Sequence, residues 1–375
     1  MKKAFTIDKK PLLSILASMQ PLCTKRTTID ATSSILFQVG QKELVLKSTD
    51  LEVSLQASCT LENSSLVDAE SFLVSGKRIF DLVKELDGVV QCELDGGTLS
   101  LESQGVHLTL NIKSAEEFPP FPERIENLMS IRARDLLSML ERVAFLIPQN
   151  NSNPSLNGLY LEVSSDSFTM TSTDGHCLAQ VKSQSYTLET THTWLLPRRA
   201  VFELKKLIES SCDECIFLGL CDSQLVVSGE LFNFFTRLLA SPFPEYRPIL
   251  QRDAFVPAHV DRGQFIKTLR RTACLLSGQF LATQFNFNSE HIHVTLHNKE
   301  VGSLDEHLPI KEGSAELGIR FYSPYLLSGL QQAFSGDKVT FFLKNSSRPI
   351  IFESQDEQIT MTYLVMPVSQ QNQSA

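Results

Sequence analysis

The sequence has no long apolar run and none of the short signatures that mark the common enzyme classes. No stretch approaches the roughly 18–20 apolar residues that a membrane-spanning helix needs. The opening Met1-Lys2-Lys3-Ala4-Phe5-Thr6-Ile7-Asp8 meets acid and further lysine at once, so the apolar core of a signal peptide is missing. Together these absences predict a cytoplasmic chain with no membrane partner. The P-loop, the HExxH zinc helix, the nucleophile elbow and the glycine-rich dinucleotide fingerprint are missing as well. Nucleotide hydrolysis, zinc proteolysis, α/β-hydrolase chemistry and nicotinamide chemistry therefore have no foothold, and no cofactor is predicted.

The cysteines are scattered. Of eight, the only close pair is Cys212-Asp-Glu-Cys215, and a closed zinc site needs four ligands. No second pair follows at zinc spacing, so the thiols read as reduced structural residues of a cytosolic chain. His291 and His293 alternate along a strand and share a face. With no third ligand nearby they read as a polar strand face, and no metal is predicted. Asp174-Gly175-His176 sets an acid beside a histidine, the components of a general acid–base pair. No nucleophile or second acid accompanies them, so the favoured reading is an Asp-Gly turn between strands.

What the chain does have is ordinary globular material, repeated. Its 375 residues are 42% hydrophobic and 21% charged, enough for two or three domains. Three segments open alike: Phe5-Thr-Ile-Asp-Lys-Lys-Pro-Leu-Leu-Ser, Met129-Ser-Ile-Arg-Ala-Arg-Asp-Leu-Leu-Ser, and His259-Val-Asp-Arg-Gly-Gln-Phe-Ile-Lys-Thr. Each is a short strand running into an amphipathic helix. Second strand–helix elements recur at Ser71–Leu86, Thr193–Ile208 and Leu317–Leu330, and closing strands at Thr98, Gln224 and Arg348. Two matching loops follow, Glu117-Phe-Pro-Pro-Phe-Pro122 and Ser241-Pro-Phe-Pro-Glu-Tyr246. The period, about 125 residues, is that of a domain rather than a solenoid unit. Three similar domains follow, 1–127, 128–252 and 253–375, in the α+β class, with antiparallel sheets covering two helices each.

The net charge of −9 argues, taken alone, against binding phosphate. Its distribution argues otherwise. Lysine and arginine gather on the helices: Lys9 and Lys10; Lys77, Arg78 and Lys84; Arg132, Arg134 and Arg142; Arg198, Arg199, Lys205 and Lys206; Arg262, Lys267, Arg270 and Arg271. These are either solvated helix faces or one common surface turned to phosphate, which would position a duplex without reading its sequence.

Ser155-Leu-Asn-Gly-Leu159, Ser172-Thr-Asp-Gly-His-Cys-Leu178, Pro197-Arg-Arg, Phe243-Pro-Glu-Tyr-Arg247 and Tyr363-Leu-Val-Met-Pro367, in this order on a triplicated chain, resemble the beta subunit of bacterial DNA polymerase III, the sliding clamp. The resemblance covers essentially the whole length. It implies a head-to-tail homodimeric ring with two helices of each domain lining the hole and antiparallel sheets outside. It also implies a role without catalysis: encircling double-stranded DNA, tethering the polymerase III catalytic subunit and other replication or repair proteins, and depending on a separate ATP-dependent clamp loader. Carried over by motif, the partner-peptide pocket comprises Leu156, Thr173, Gly175, His176, Leu178, Pro244, Ile249, Leu364, Val365, Met366, Pro367 and Val368. DNA contacts fall on Arg26, Lys77, Arg78, Gln149, Arg198 and Arg199, and the dimer interface on Leu108 and Leu110 against Leu275 and Leu276. Cys177 and Pro248 stand where the family commonly has arginine, which implies a pocket rim short of two long side chains, and the chain continues past Val368. The alternatives are a clamp homologue dedicated to repair, and a DNA-modifying enzyme working through Asp174 and His176.

Overall fold

The computed structural model describes residues 3–24, 27–122, 124–276, 282–311, 316–356 and 358–368. They form two compact units, Met1–Asp135 with Phe202–Leu238, and Leu136–Val201 with Leu239–Ala375. Six helices occur among the described residues: α1 Lys9–Cys23, α2 Gly76–Glu85, α3 Ala133–Ala144, α4 Arg198–Ser210, α5 Arg262–Cys274 and α6 Ser323–Gln332. None is long and apolar enough to cross a membrane.

The repeat seen in the sequence is a repeat of caps and hydrogen bonds. Asp8 and Asp261 end the strands before α1 and α5, and their carboxylates accept from the amides of Lys10 and Gln264, each at 2.7 Å. Such caps satisfy amides that a helix start leaves unpaired. Apolar residues at helical spacing then bury one face, Leu12, Leu16 and Met19 in α1 and Phe265, Ile266 and Leu269 in α5. The first residue of α1, α3 and α5 each donates its amide to a carbonyl just beyond the second helix of its pair: Lys9 to Gly88, Ala133 to Glu214, Arg262 to Asp337. Lys9 Nζ also donates to the carbonyls of Lys84 and Leu86, and Arg262 to those of Leu330 and Gly336. These two cations, read from the sequence as either solvated or phosphate-facing charge, instead satisfy the carboxyl ends of α2 and α6, where a positive charge is favoured.

Every sheet is antiparallel. The first unit has a five-stranded sheet, whose last strands are Val89–Asp95, Thr98–Ser103 and Val106–Asn111, and a nine-stranded one. In the nine-stranded sheet, Val53–Thr60 pairs with Phe232–Arg237, with Leu55 opposite Phe234. The second unit has one twelve-stranded sheet, in which Cys177–Ser183 pairs with Ile359–Val365 and Leu178 faces Leu364. These joints occupy equivalent places: the fourth long strand of one repeat meets the last long strand of the next. The remaining strands of those two kinds are Gly302–Lys311 and Val106–Asn111. Val106–Asn111 ends its sheet, paired only to Thr98–Ser103. Gly302–Lys311 pairs along its length with His291–Asn298, but on its other side only Ile310 and Lys311 find partners. Among the described residues, both strands keep an open edge.

Candidate functional site

The Asp174-Gly175 segment is the turn between the strands Phe168–Thr173 and Cys177–Ser183. Gly175 sits at φ +93°, where a side chain would strain the backbone. The Asp174 carboxylate accepts from the amides of His176 and Cys177 at 2.8 and 2.7 Å, while Thr173 Oγ1 donates to the Cys177 carbonyl at 2.6 Å. Asp174 is thus spent on holding the turn. The His176 ring lies parallel to Tyr325 of α6, with centroids 5.6 Å apart, and its carbonyl accepts from the Met366 amide.

Beyond this turn the two paired strands bury opposite faces. Leu178, Leu364 and Ile351 form one cluster with Tyr246, joined by the half-buried Tyr160, Phe243, Ile249, Leu250 and Met366. Strand alternation sends Cys177, Tyr363 and Val365 to the other side. There Tyr363 is fully buried, donates its hydroxyl to the Tyr325 carbonyl at 2.9 Å, and fills the space a Cβ on Gly329 would need. So Leu178, Ile249, Leu364 and Met366 come together, Val365 belongs to the core beneath them, and Leu156 is buried near Gly175. Pro244 is exposed; Pro367 and Val368 are half-buried, and the Val368 amide bonds the Arg320 carbonyl. Cys177 requires a correction. Its thiol is buried, not on a rim, and burial with the nearby Asp174 charge pushes its pKa far up. Pro248 is exposed.

The cluster carries an aromatic stack that the motif reading missed. Tyr160 and Phe243 lie face to face at 4.9 Å, and Tyr246 meets both edge-on. Arg247 holds both oxygens of Glu162 at 2.6–2.8 Å and lies 5.8 Å from the Tyr246 ring. Burial, then the Glu162 charge, pushes the Tyr160 phenol above its usual value, and burial does the same to Tyr246. The signal for Phe243 and Tyr246 was in the sequence: they repeat the spacing of Phe118 and Phe121.

The three domains of one family, the DNA polymerase III beta subunit, match the chain end to end: N-terminal at residues 3–122, central at 130–245 and C-terminal at 249–369. This chain belongs to the DNA polymerase III beta subunit family. It is 27% identical to the beta sliding clamp of Pseudomonas aeruginosa, over 97% of this chain and 99% of that one, and 23% identical to that of Chlamydia pneumoniae, over 97% and 98%. A crystal structure of the DNA polymerase III subunit beta from Pseudomonas aeruginosa superposes with a TM-score of 0.88 at 25% identity, covering 98% of this chain and all of that one.

Of the clamp residues carried over for DNA contact, Lys77, Arg78 and Gln149 are exposed, while Arg26 lies outside the described residues. Arg198 and Arg199 are half-buried, and Arg198 donates to the Ile147 carbonyl. Arg198 therefore anchors the loop that presents Gln149. Leu108 and Leu110 lie half-buried on the open-edged Val106–Asn111 strand. Leu275 is half-buried, its carbonyl held by Asn298 at 2.6 Å, and Leu276 is buried.

Proposed function

We propose that two copies of this chain close a ring around duplex DNA and tether the replicative polymerase to it, a processivity factor with no chemistry of its own. The observation that carries this reading is the pair of open edges. Each repeat joins the next by one antiparallel strand pair, and among the described residues the two strands of the third such pair do not meet, each keeping an open edge. Unpaired edges invite a further strand. A contact that pairs the last domain of one copy with the first of another is heterologous, and closes when two copies complete the turn.

On this reading the domains are 1–127, 128–252 and 253–375. Val106–Asn111 of one copy adds to the Gly302–Lys311 edge of the other, with Leu108 and Leu110 at the seam. Leu275 and Leu276 back the joint from the end of α5, with Leu276 holding the core beneath it. Lys77, Arg78 and Gln149, and the loop anchored by Arg198, face the phosphates and hold the duplex without reading sequence. The family resemblance adds Arg199 and Arg26 to that set, Arg26 lying outside the described residues. Partner proteins dock a short peptide on the cluster of Leu178, Ile249, Leu364 and Met366, an apolar site with few polar groups. The rest of the carried-over set, Leu156, Thr173, Gly175, His176, Pro244, Val365, Pro367 and Val368, frames or supports it. Ring opening falls to a separate ATP-dependent loader, and the setting is the cytoplasm, where repair proteins share the same peptide site.

The test is mass in solution by light scattering. Wild type should run at twice 42.0 kDa at micromolar concentration. Leu108→Asp with Leu110→Asp, which places two charges at the seam, should run as one chain with an unchanged circular dichroism spectrum. A monomeric wild type would overturn the ring.

A further inference from the structure

We infer that His293, His307 and Asp305 form a binding site for a divalent transition-metal ion, zinc foremost, on the outer face of the sheet in the second unit. The strands His291–Asn298 and Gly302–Lys311 alternate strictly. Ile292, Val294 and Leu296 on one, and Leu308 and Ile310 on the other, are buried. The intervening residues must project to the opposite face.

There the sheet register sets His293 directly opposite His307. Their rings stack with centroids 4.3 Å apart and planes 9° from parallel. His293 Nε2 lies 3.0 Å from Asp305 Oδ1, and one donor atom from each of the three residues falls within 4.8 Å of the others. His291 flanks the far side of His307, centroids 4.7 Å apart, and its ring meets the Asn288 amide at 3.1 Å.

Two imidazoles and a carboxylate are the donor set of three-ligand zinc sites, which leave a fourth position to water or another ligand. Zinc bonds of about 2.0–2.2 Å require the donors to draw in by roughly an ångström from their present spread. Side-chain rotation supplies that, because Asp305 is 69% exposed and His293 30%, while the cross-strand pairing fixes both backbones. Imidazole donors disfavour magnesium and calcium, which take oxygen, and favour zinc, copper or nickel. In the sequence His291 and His293 stand without further ligands because His307 and Asp305 lie a hairpin away and only the register brings them to His293.

The experiment is calorimetric titration of the full-length chain with zinc chloride. Exposed thiols also take zinc, so the titrated protein carries Cys212→Ser, Cys215→Ser and Cys274→Ser, the three exposed cysteines. One ion should bind per chain, and His307→Gln in this background should weaken binding by at least about tenfold. His297→Gln, on the same strand face but opposite Ser303, should leave it unchanged. No saturable uptake, uptake indifferent to His307→Gln, or an equal loss with His297→Gln would each overturn the site. The ion is read directly, so the result does not depend on ring closure.

Discussion

Phe118 and Phe121 in the first linking segment stand three residues apart, as Phe243 and Tyr246 do in the second, yet the two pairs pack differently. Phe118 joins Ala31, Leu36 and Leu73, whereas Phe121 leaves it to cover Cys221, Val226 and Phe235 together with Ile125. Phe243 and Tyr246 stay together, because both meet Tyr160 and, with Ile249, one cluster of Leu178, Ile351 and Leu364. Leu36 and Tyr160 are each the third residue of equivalent strands, Ser34–Val39 and Gly158–Val163. A leucine there leaves the two anchors on separate clusters; a tyrosine ring bridges them. One linker therefore splits its anchors around a strand joint, and the other gathers them into a half-buried aromatic surface with Met366 among its members.

The largest expected effect breaks the second joint from beneath. Tyr363→Ala deletes a fully buried ring and its hydrogen bond, which costs about 3–5 kcal/mol. Trp194, the only tryptophan of the chain, lies in the same twelve-stranded sheet, so its fluorescence should report a lower urea midpoint. An unchanged midpoint would mean that Tyr363 does not hold this joint.

Met366→Ala touches the surface instead. Affinity for a labelled peptide of the family's docking type, a glutamine followed by spaced leucines and a phenylalanine, should fall about tenfold, or ~1.4 kcal/mol, measured by fluorescence anisotropy. The Trp194 midpoint should move far less than with Tyr363→Ala. Tyr160→Leu makes the second linker imitate the first: losing the stack should cost about 0.5–1.5 kcal/mol and weaken the same peptide. If Tyr160→Leu bound peptide as well as wild type, the bridging ring would not be what distinguishes the two linkers.

The smallest effect is alkaline. Folding raises the Tyr160 and Tyr246 phenols above their ordinary 10.0. The stability linked to them is complete below that value and is lost as pH rises through the folded-state values. Absorbance at the phenolate band should show Tyr160 and Tyr246, with the likewise raised Tyr325 and Tyr363, ionising later than free tyrosine, and the Trp194 midpoint falling over that range. The first linker has no tyrosine and contributes nothing to this loss.

The repeat, the α+β class and the strand–helix openings were legible because each repeat spells the same apolar spacing with the same class of turn. Side-chain destination was less legible. Lys9 and Arg262 looked like surface charge, and only the fold shows the carbonyls they cap. Cys177 stands in a motif otherwise read as pocket, but the pleat turns it to the Tyr363 side. His307 and Asp305 meet His293 through register, which no local spacing encodes. Tyr160 sits outside every motif carried over, although its partners Phe243 and Tyr246 sit inside one.

The most direct test of the central claim is topological. The protein would be loaded by an ATP-dependent clamp loader onto nicked circular duplex, half of the complex linearised by a restriction enzyme, and both halves passed through a gel-filtration column in moderate salt. A closed ring stays with the circle and slides off the linear ends, so protein should co-elute with DNA only in the uncut half. Equal retention on both forms would mean binding by contact rather than by encirclement, and would contradict the account.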